Sequence, residues 1–164
     1  MNIYGYCRIS TAKQSIDRQI RNIKAEYPTA HIVQEAYTGT SIFRPEWLKL
    51  YRILRAGDVV VFDSVSRMSR NAEEGFALYD DLYHKGIRLV FLKEHHIDTE
   101  TYKKALSGSI AMTGTNVDFI LKGINEYLMA LAKEQIKLAF EQSEKEVADL
   151  HQRTREGLLT ARLN

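Results

Sequence analysis

Residues 59–71 read VVVFDSVSRMSRN. Four apolar residues in a row, three of them β-branched, make a strand of the buried type. The run stops at a polar burst carrying Arg67 and Arg70, and Asn71 followed by Glu74 has the form of a helix N-cap with an acceptor at the third position. A buried strand that turns into a helix is half of a βαβ unit. If the turn itself enters that helix, Arg67 and Arg70, three apart, face the same way. Two guanidinium groups beside a helix amino terminus favour a phosphate.

Working outward, NIYGYC (2–7), HIVQEAY (31–37) and IRLVFL (87–92) supply three further strand patterns. Between them lie helical stripes: Ile16, Ile20 and Ile23; then Trp47, Leu48, Tyr51 and Leu54; then Phe76, Tyr79, Leu82 and Tyr83. Tyr27-Pro28, Gly57 and Gly86 punctuate the elements. Strands alternating with helices predict an α/β domain, three-layer, with a mostly parallel sheet flanked by helices. From Asp118 to the end the chain has no proline and reads as one long C-terminal helix, broken near Gly157. Ile120, Ile124, Leu128, Leu131 and Ile136 are expected to pack on the domain. The thinner stripe of Val147, Leu150, Thr154 and Leu158 needs a partner chain or a groove. The division is therefore a core at 1–117 and a helix at 118–164.

The chain has 164 residues, enough for one domain and an extension, and its 45% hydrophobic and 27% charged residues exclude a disordered chain and a membrane span. A net charge of +2 permits nucleic-acid binding without arguing for it. The single cysteine, Cys7, shares a strand face with Ile3 and Ile9, which suits a buried thiol. No secretory leader pattern opens the sequence, so a cytoplasmic location is expected.

The first strand puts Tyr4, Tyr6, Arg8 and Ser10 on one face and Ile3, Gly5, Cys7 and Ile9 on the other. Arg8 and Ser10 then stand side by side, roughly 6–7 Å apart along the strand. In GTSIFRPEW (39–47), Arg44 precedes a proline at a helix start. These loops belong on the carboxyl edge of the sheet, where open α/β sheets bind ligands. Read alone, Ser10 is either a nucleophile or part of a helix cap, because Thr11 with Gln14 also forms a capping pattern. Glu35 and Asp63 at strand ends could be paired acids, with an N-cap or an arginine partner as the simpler reading. KEHHID (93–98) lacks metal-ligand spacing, so neither metal nor nucleotide cofactor is expected. No group stands out as general base, since His31, His84, His95, His96 and His151 all fall outside these motifs.

YCRISTAKQSIDRQ (6–19) resembles the opening signature of the serine recombinases, the resolvases, invertases and large serine integrases. SVSRMSRN (64–71) is similar to the later arginine motif of that family, and TGTSIFRPEW (38–47) to its mobile loop. The resemblance implies a resolvase-like catalytic domain in which Ser10 attacks a DNA phosphodiester to form a 5′-phosphoserine. It implies Arg8, Arg67 and Arg70 as catalytic charge-stabilising groups, and Arg44, Gln14 and Gln19 as phosphate and DNA contacts. Arginine suits such a role because its planar fork of donors keeps its proton. The implied partners are double-stranded DNA at a crossover site, a second copy in a homodimer and a tetramer in the synaptic complex; a directionality factor is also admitted. Arg153, Arg155 and Arg162 make a mildly basic end that leads toward DNA or is ordinary solvated helix, and site recognition is expected beyond Asn164. Ser66 departs from the pattern, since many members carry aspartate there. The longer stretch from Tyr102 to Lys122 leans toward the large integrases or transposon recombinases. The competing reading is a non-covalent phosphate-binding or receiver-like module that dimerises through its long helix.

Overall fold

The computed structural model describes residues 1–9, 16–36, 44–69, 71–107 and 111–163, with only the backbone described at 144, 146–154 and 158–163. Four parallel strands, β1 (Ile3–Ile9), β2 (His31–Ala36), β3 (Val59–Phe62) and β4 (Arg88–Phe91), form one sheet in the order β2-β1-β3-β4. Six helices accompany them among the described residues: α1 (Asp17–Glu26), α2 (Pro45–Ile53), α3 (Val65–Met68), α4 (Ala72–His84), α5 (Thr99–Ser107) and α6 (Asp118–Leu163).

Period two sorts β1 as its sequence requires. Tyr6 joins Val60, Phe62, Leu89 and Phe91 on the face covered by α2, α4, α5 and α6, whereas Cys7 joins Val59, Val61 and Val90 on the face covered by α1. Parallel crossovers are right-handed, so a chain that winds from β1 outward to β2 and then back past β1 to β3 must change faces. The winding reverses between β1 and β3, and the carboxyl ends of those two strands flank the crevice where such sheets place ligands. Aromatic rings fill the larger side: Phe62 stacks on Phe91 at 5.3 Å, and Tyr6 meets Trp47 edge-on at 5.1 Å.

Close approach explains two glycines. A Cβ on Gly5 would lie 2.8 Å from Ile23 Cγ2, so a larger residue would push α1 off β1. A Cβ on Gly75 would lie 2.5 Å from Phe140 Cδ1, where α6 crosses α4. Gly57 and Gly86, both with positive φ, turn the chain into β3 and β4 as the punctuation predicts.

Two expectations are corrected. In α2 the packing face is Trp47 and Leu50, with Tyr51 and Leu54 partly buried, while Leu48 is 41% exposed, because the helix presents a narrow stripe to the sheet. In α6, a 46-residue helix about 69 Å long at 1.5 Å per residue, the chain runs through Gly157 without a break. Its attachment comes from Ile136 and Phe140, both buried, with Ala132 and Ala139 beside them. Of the five residues expected to pack, Ile136 alone is buried; Ile120 is 65% exposed, and Ile124, Leu128 and Leu131 are exposed with it. An apolar stripe shows that a face must be covered, not which body covers it. The stripe from Val147 to Leu158 lies among side chains outside the described residues. Among the described residues no helix is long and apolar enough to cross a membrane.

Candidate active site

Arg8 is one of the last residues of β1, and it is only 3% exposed. A buried cation needs acceptors, and its Nη2 donates to the carbonyl oxygen of Ser66 at 2.5 Å. The β1–β3 pairing ends at Tyr6–Phe62, so Arg8 extends beyond the ladder on that side. Gln19 of α1 takes over there: its Oε1 accepts from Arg8 N at 3.1 Å and its Nε2 donates to Arg8 O at 2.8 Å. Gln19, itself buried, thus fixes the strand end that carries Arg8.

Beyond β3 the polar burst folds as the four-residue helix α3, and three arginines meet it. Arg8 reaches Ser66 O; Arg44, at the start of α2, donates through Nη1 to Met68 O; and Arg67, within α3, donates through Nη1 to Arg8 O at 3.1 Å. The expectation that Arg67 and Arg70 face the same way falls on Arg70, outside the described residues. Ser69 is extended at φ −156°, so α3 ends before α4 begins. Asn71 does cap α4 as its spacing predicts, its Oδ1 accepting from Glu74 N at 3.0 Å. Ser10, Gln14 and Arg70 lie outside the described residues. Arg155 is exposed on α6, while the side chains of Arg153 and Arg162 lie outside the described residues.

The strand-end acids are not a pair. Glu35 is buried and accepts from Trp47 N at 2.9 Å and from Tyr6 Oη at 3.3 Å. It therefore caps α2 from another element and seats the helix whose first turn follows Arg44. Burial, reinforced by the Glu35 carboxylate, raises the Tyr6 phenol far above its ordinary value even against Arg44 and Arg8, so Tyr6 stays a donor. Asp63 accepts from Asn22 Nδ2 at 2.9 Å and pairs with Lys93 at 3.4 Å. Ser66 bonds Ser64 hydroxyl to hydroxyl at 2.7 Å. Burial pushes the Cys7 thiol up to about 12, in keeping with an inert structural cysteine. In the 3₁₀ turn His95–Ile97, His95 Nδ1 lies 2.7 Å from Asp98 Oδ2.

The cap at Glu35 agrees with the simpler of its two sequence readings. Sequence reasoning missed Glu94, whose Oε2 accepts from Val65 N at 3.0 Å, because its partner is 29 residues away and leaves no local signal.

A parallel α/β domain that gathers three arginines at its topological switch point has the kind of donors that suit a phosphate. The family model described as "Resolvase, N terminal domain" matches residues 3–146, and the chain belongs to that family, the serine recombinases, which are DNA strand-transferring enzymes. Among curated relatives, the transposon Tn21 resolvase of Escherichia coli is 27% identical over 159 residues, covering 93% of this chain and 83% of that protein. A resolvase of Clostridium perfringens (strain 13 / Type A) is 32% identical over 99 residues, covering 59% of this chain and about half, 52%, of its own length. The crystal structure of a resolvase family site-specific recombinase from Streptococcus pneumoniae aligns over 100% of this chain and 99% of that one, with a TM-score of 0.48 and 19% identity.

Proposed function

We propose that this chain is the catalytic part of a site-specific DNA recombinase that cuts and rejoins DNA through a phosphoserine on Ser10. The observation that carries the reading is the convergence of Arg8, Arg44 and Arg67 on α3, beside the strand that ends one residue before Ser10. In the proposed step the Ser10 oxygen loses its proton and attacks phosphorus. The Ser–O–P bond forms, the bond from phosphorus to the 3′ oxygen breaks, and that oxygen leaves as a 3′ hydroxyl. The phosphoryl bond energy is held in the ester, so rejoining needs no nucleotide. Arg8, Arg67 and Arg70 neutralise the charge that builds on the non-bridging oxygens, Arg44 and Gln14 contact the backbone, and Gln19 holds Arg8.

Residues 1–117 form the catalytic core in this reading, and 118–164 the oligomerisation helix that leads toward a DNA-reading region. The exposed apolar side chains of Phe119, Ile120, Ile124, Tyr127 and Leu131 support a homodimer, and two dimers on paired crossover sites would exchange strands. A directionality factor, contact of Arg153, Arg155 and Arg162 with DNA, and action in the cytoplasm complete the proposal.

The test is to incubate full-length protein with its crossover DNA, quench under denaturing conditions and map the attached residue by mass spectrometry. The expected result is a 5′ DNA adduct on Ser10 that disappears in a folded Ser10→Ala variant. Recombination without an adduct on Ser10 would overturn the mechanism. Failure of the full-length protein to bind DNA would favour the non-covalent phosphate-binding module.

A further inference from the structure

The three described arginines take their positions from α3, a helix too short to hold itself. Ser64, its N-cap residue, makes no side-chain cap bond, and the orphan N–H of Val65 goes instead to Glu94 Oε2 at 3.0 Å. Glu94 follows β4, and its own backbone is fixed, with its N–H bonded to Phe91 O at 3.1 Å and its carbonyl accepting from Ile97 N at 3.0 Å. Lys93 N, next to it, donates to Asp63 O at 3.2 Å, tying this loop to the end of β3. The Glu94 carboxylate is therefore a rigid peg driven into the start of α3. On α3, Ser66 O receives Arg8, Met68 O receives Arg44, and Arg67 returns to Arg8 O.

We propose that Glu94 is a positioning residue for DNA cleavage, setting the arginine cluster through α3; this rests on the recombinase reading given above. It touches no reacting atom. Glu94 shares a cleft of about 240 Å³ with Ser66, Arg67, His96 and Gln142. The charged and titratable groups around it are Arg67 on α3, Asp63 at the end of β3, and Lys93, His95 and His96 on its own loop, while α6 contributes the neutral Gln142 and Ser143. Burial raises the carboxyl above the ordinary glutamate range, against the pull of the Val65 N–H, Lys93 and His96. As pH falls, the peg loses its charge earlier than an ordinary glutamate would, and the cap weakens while most other carboxylates stay ionised.

The experiment measures single-turnover adduct formation by full-length protein on its crossover DNA across mildly acidic to neutral pH, with DNA affinity and thermal melting alongside. Glu94→Ala is expected to slow adduct formation about tenfold or more while DNA affinity stays within about twofold. Glu94→Gln keeps an acceptor for Val65 N–H but is neutral at every pH, as the protonated wild-type carboxyl is. Its neutral-pH rate should therefore fall between those of the wild type and Glu94→Ala, at the level the wild type reaches once Glu94 is protonated, and the part of the acidic decline that belongs to this group should disappear. A wild-type rate in Glu94→Ala, or an unchanged acidic decline in Glu94→Gln, overturns the proposal. If Glu94→Ala fails to fold, the Glu94→Gln profile decides alone. A Ser10→Ala control that still forms the adduct would sink the recombinase mechanism, a failure distinct from that of the Glu94 assignment.

Discussion

The side-chain amide of Gln19 binds both the N–H and the C=O of Arg8, at 3.1 and 2.8 Å, and so continues the sheet where β3 has ended. Truncation to Gln19→Ala removes the acceptor of the buried Arg8 N–H and leaves the Arg8 carbonyl with the Arg67 donor, at a cost of about 1–3 kcal/mol. Denaturant unfolding should show a loss of that order, and adduct formation should fall about a hundredfold as Arg8 loses its register. A folded Gln19→Ala protein with wild-type cleavage would show that the clamp is dispensable.

The contact between Gly75 and Phe140 controls how α6 seats on the core. A methyl group at position 75 would enter the Phe140 ring, so Gly75→Ala should cost about 1–3 kcal/mol through overpacking. Phe140→Leu in the same chain makes room for that methyl. The double variant should therefore be more stable than the sum of the two single changes implies, and thermal melting of the four proteins measures the coupling. Strict additivity would mean that the cost of the methyl does not arise at the Phe140 ring.

The apolar side chains near the start of α6 recur at 120, 124, 127 and 131, the spacing of a coiled-coil seam. Ile120→Asp or Tyr127→Asp should weaken self-association about tenfold or more, since burying one large apolar side chain is worth about 1.5–3 kcal/mol. Sedimentation equilibrium reads the effect directly. Unchanged association would move the dimer contact elsewhere.

His95 gives a pH signature. Its hydrogen bond to Asp98, half-exposed as the imidazole is, raises the histidine above its ordinary value. A histidine with a raised folded-state pKa adds stability below its unfolded value, near pH 6.5, and loses that contribution as pH rises through the folded one. His95→Gln should therefore be less stable than the wild type at about pH 6, by a few tenths of a kcal/mol after solvent screening, and equal to it above about pH 8. A constant difference across that range would assign the effect to packing.

The strand faces were legible because period two separates Tyr6 and Arg8 from Cys7 and Ile9 whatever surrounds them. The start of α2 at Pro45 and the cap at Asn71 were legible because each is written within a few residues. The clamp of Gln19, the helix that Glu35 caps and the cap at Glu94 were not, since each joins a side chain to a backbone group on another element. The two-helix layout of residues 65–84 also escaped, because Ser69 breaks the turn with an extended backbone that its side chain does not announce. For α6, composition gave the length, but only the fold shows that Ile136 and Phe140 are the anchors.

The bonds that gather the arginines span 58, 24 and 59 residues of chain. Contacts so distant form only when β1, the start of α2 and the turn after β3 have all docked, so the cluster exists only in the assembled domain. In the recombinase reading proposed above, a half-made or half-melted copy of this protein would carry Ser10 without its gathered cations. On that reading the wiring of the site is a safeguard: the ability to cut DNA arrives with the finished fold and departs with it.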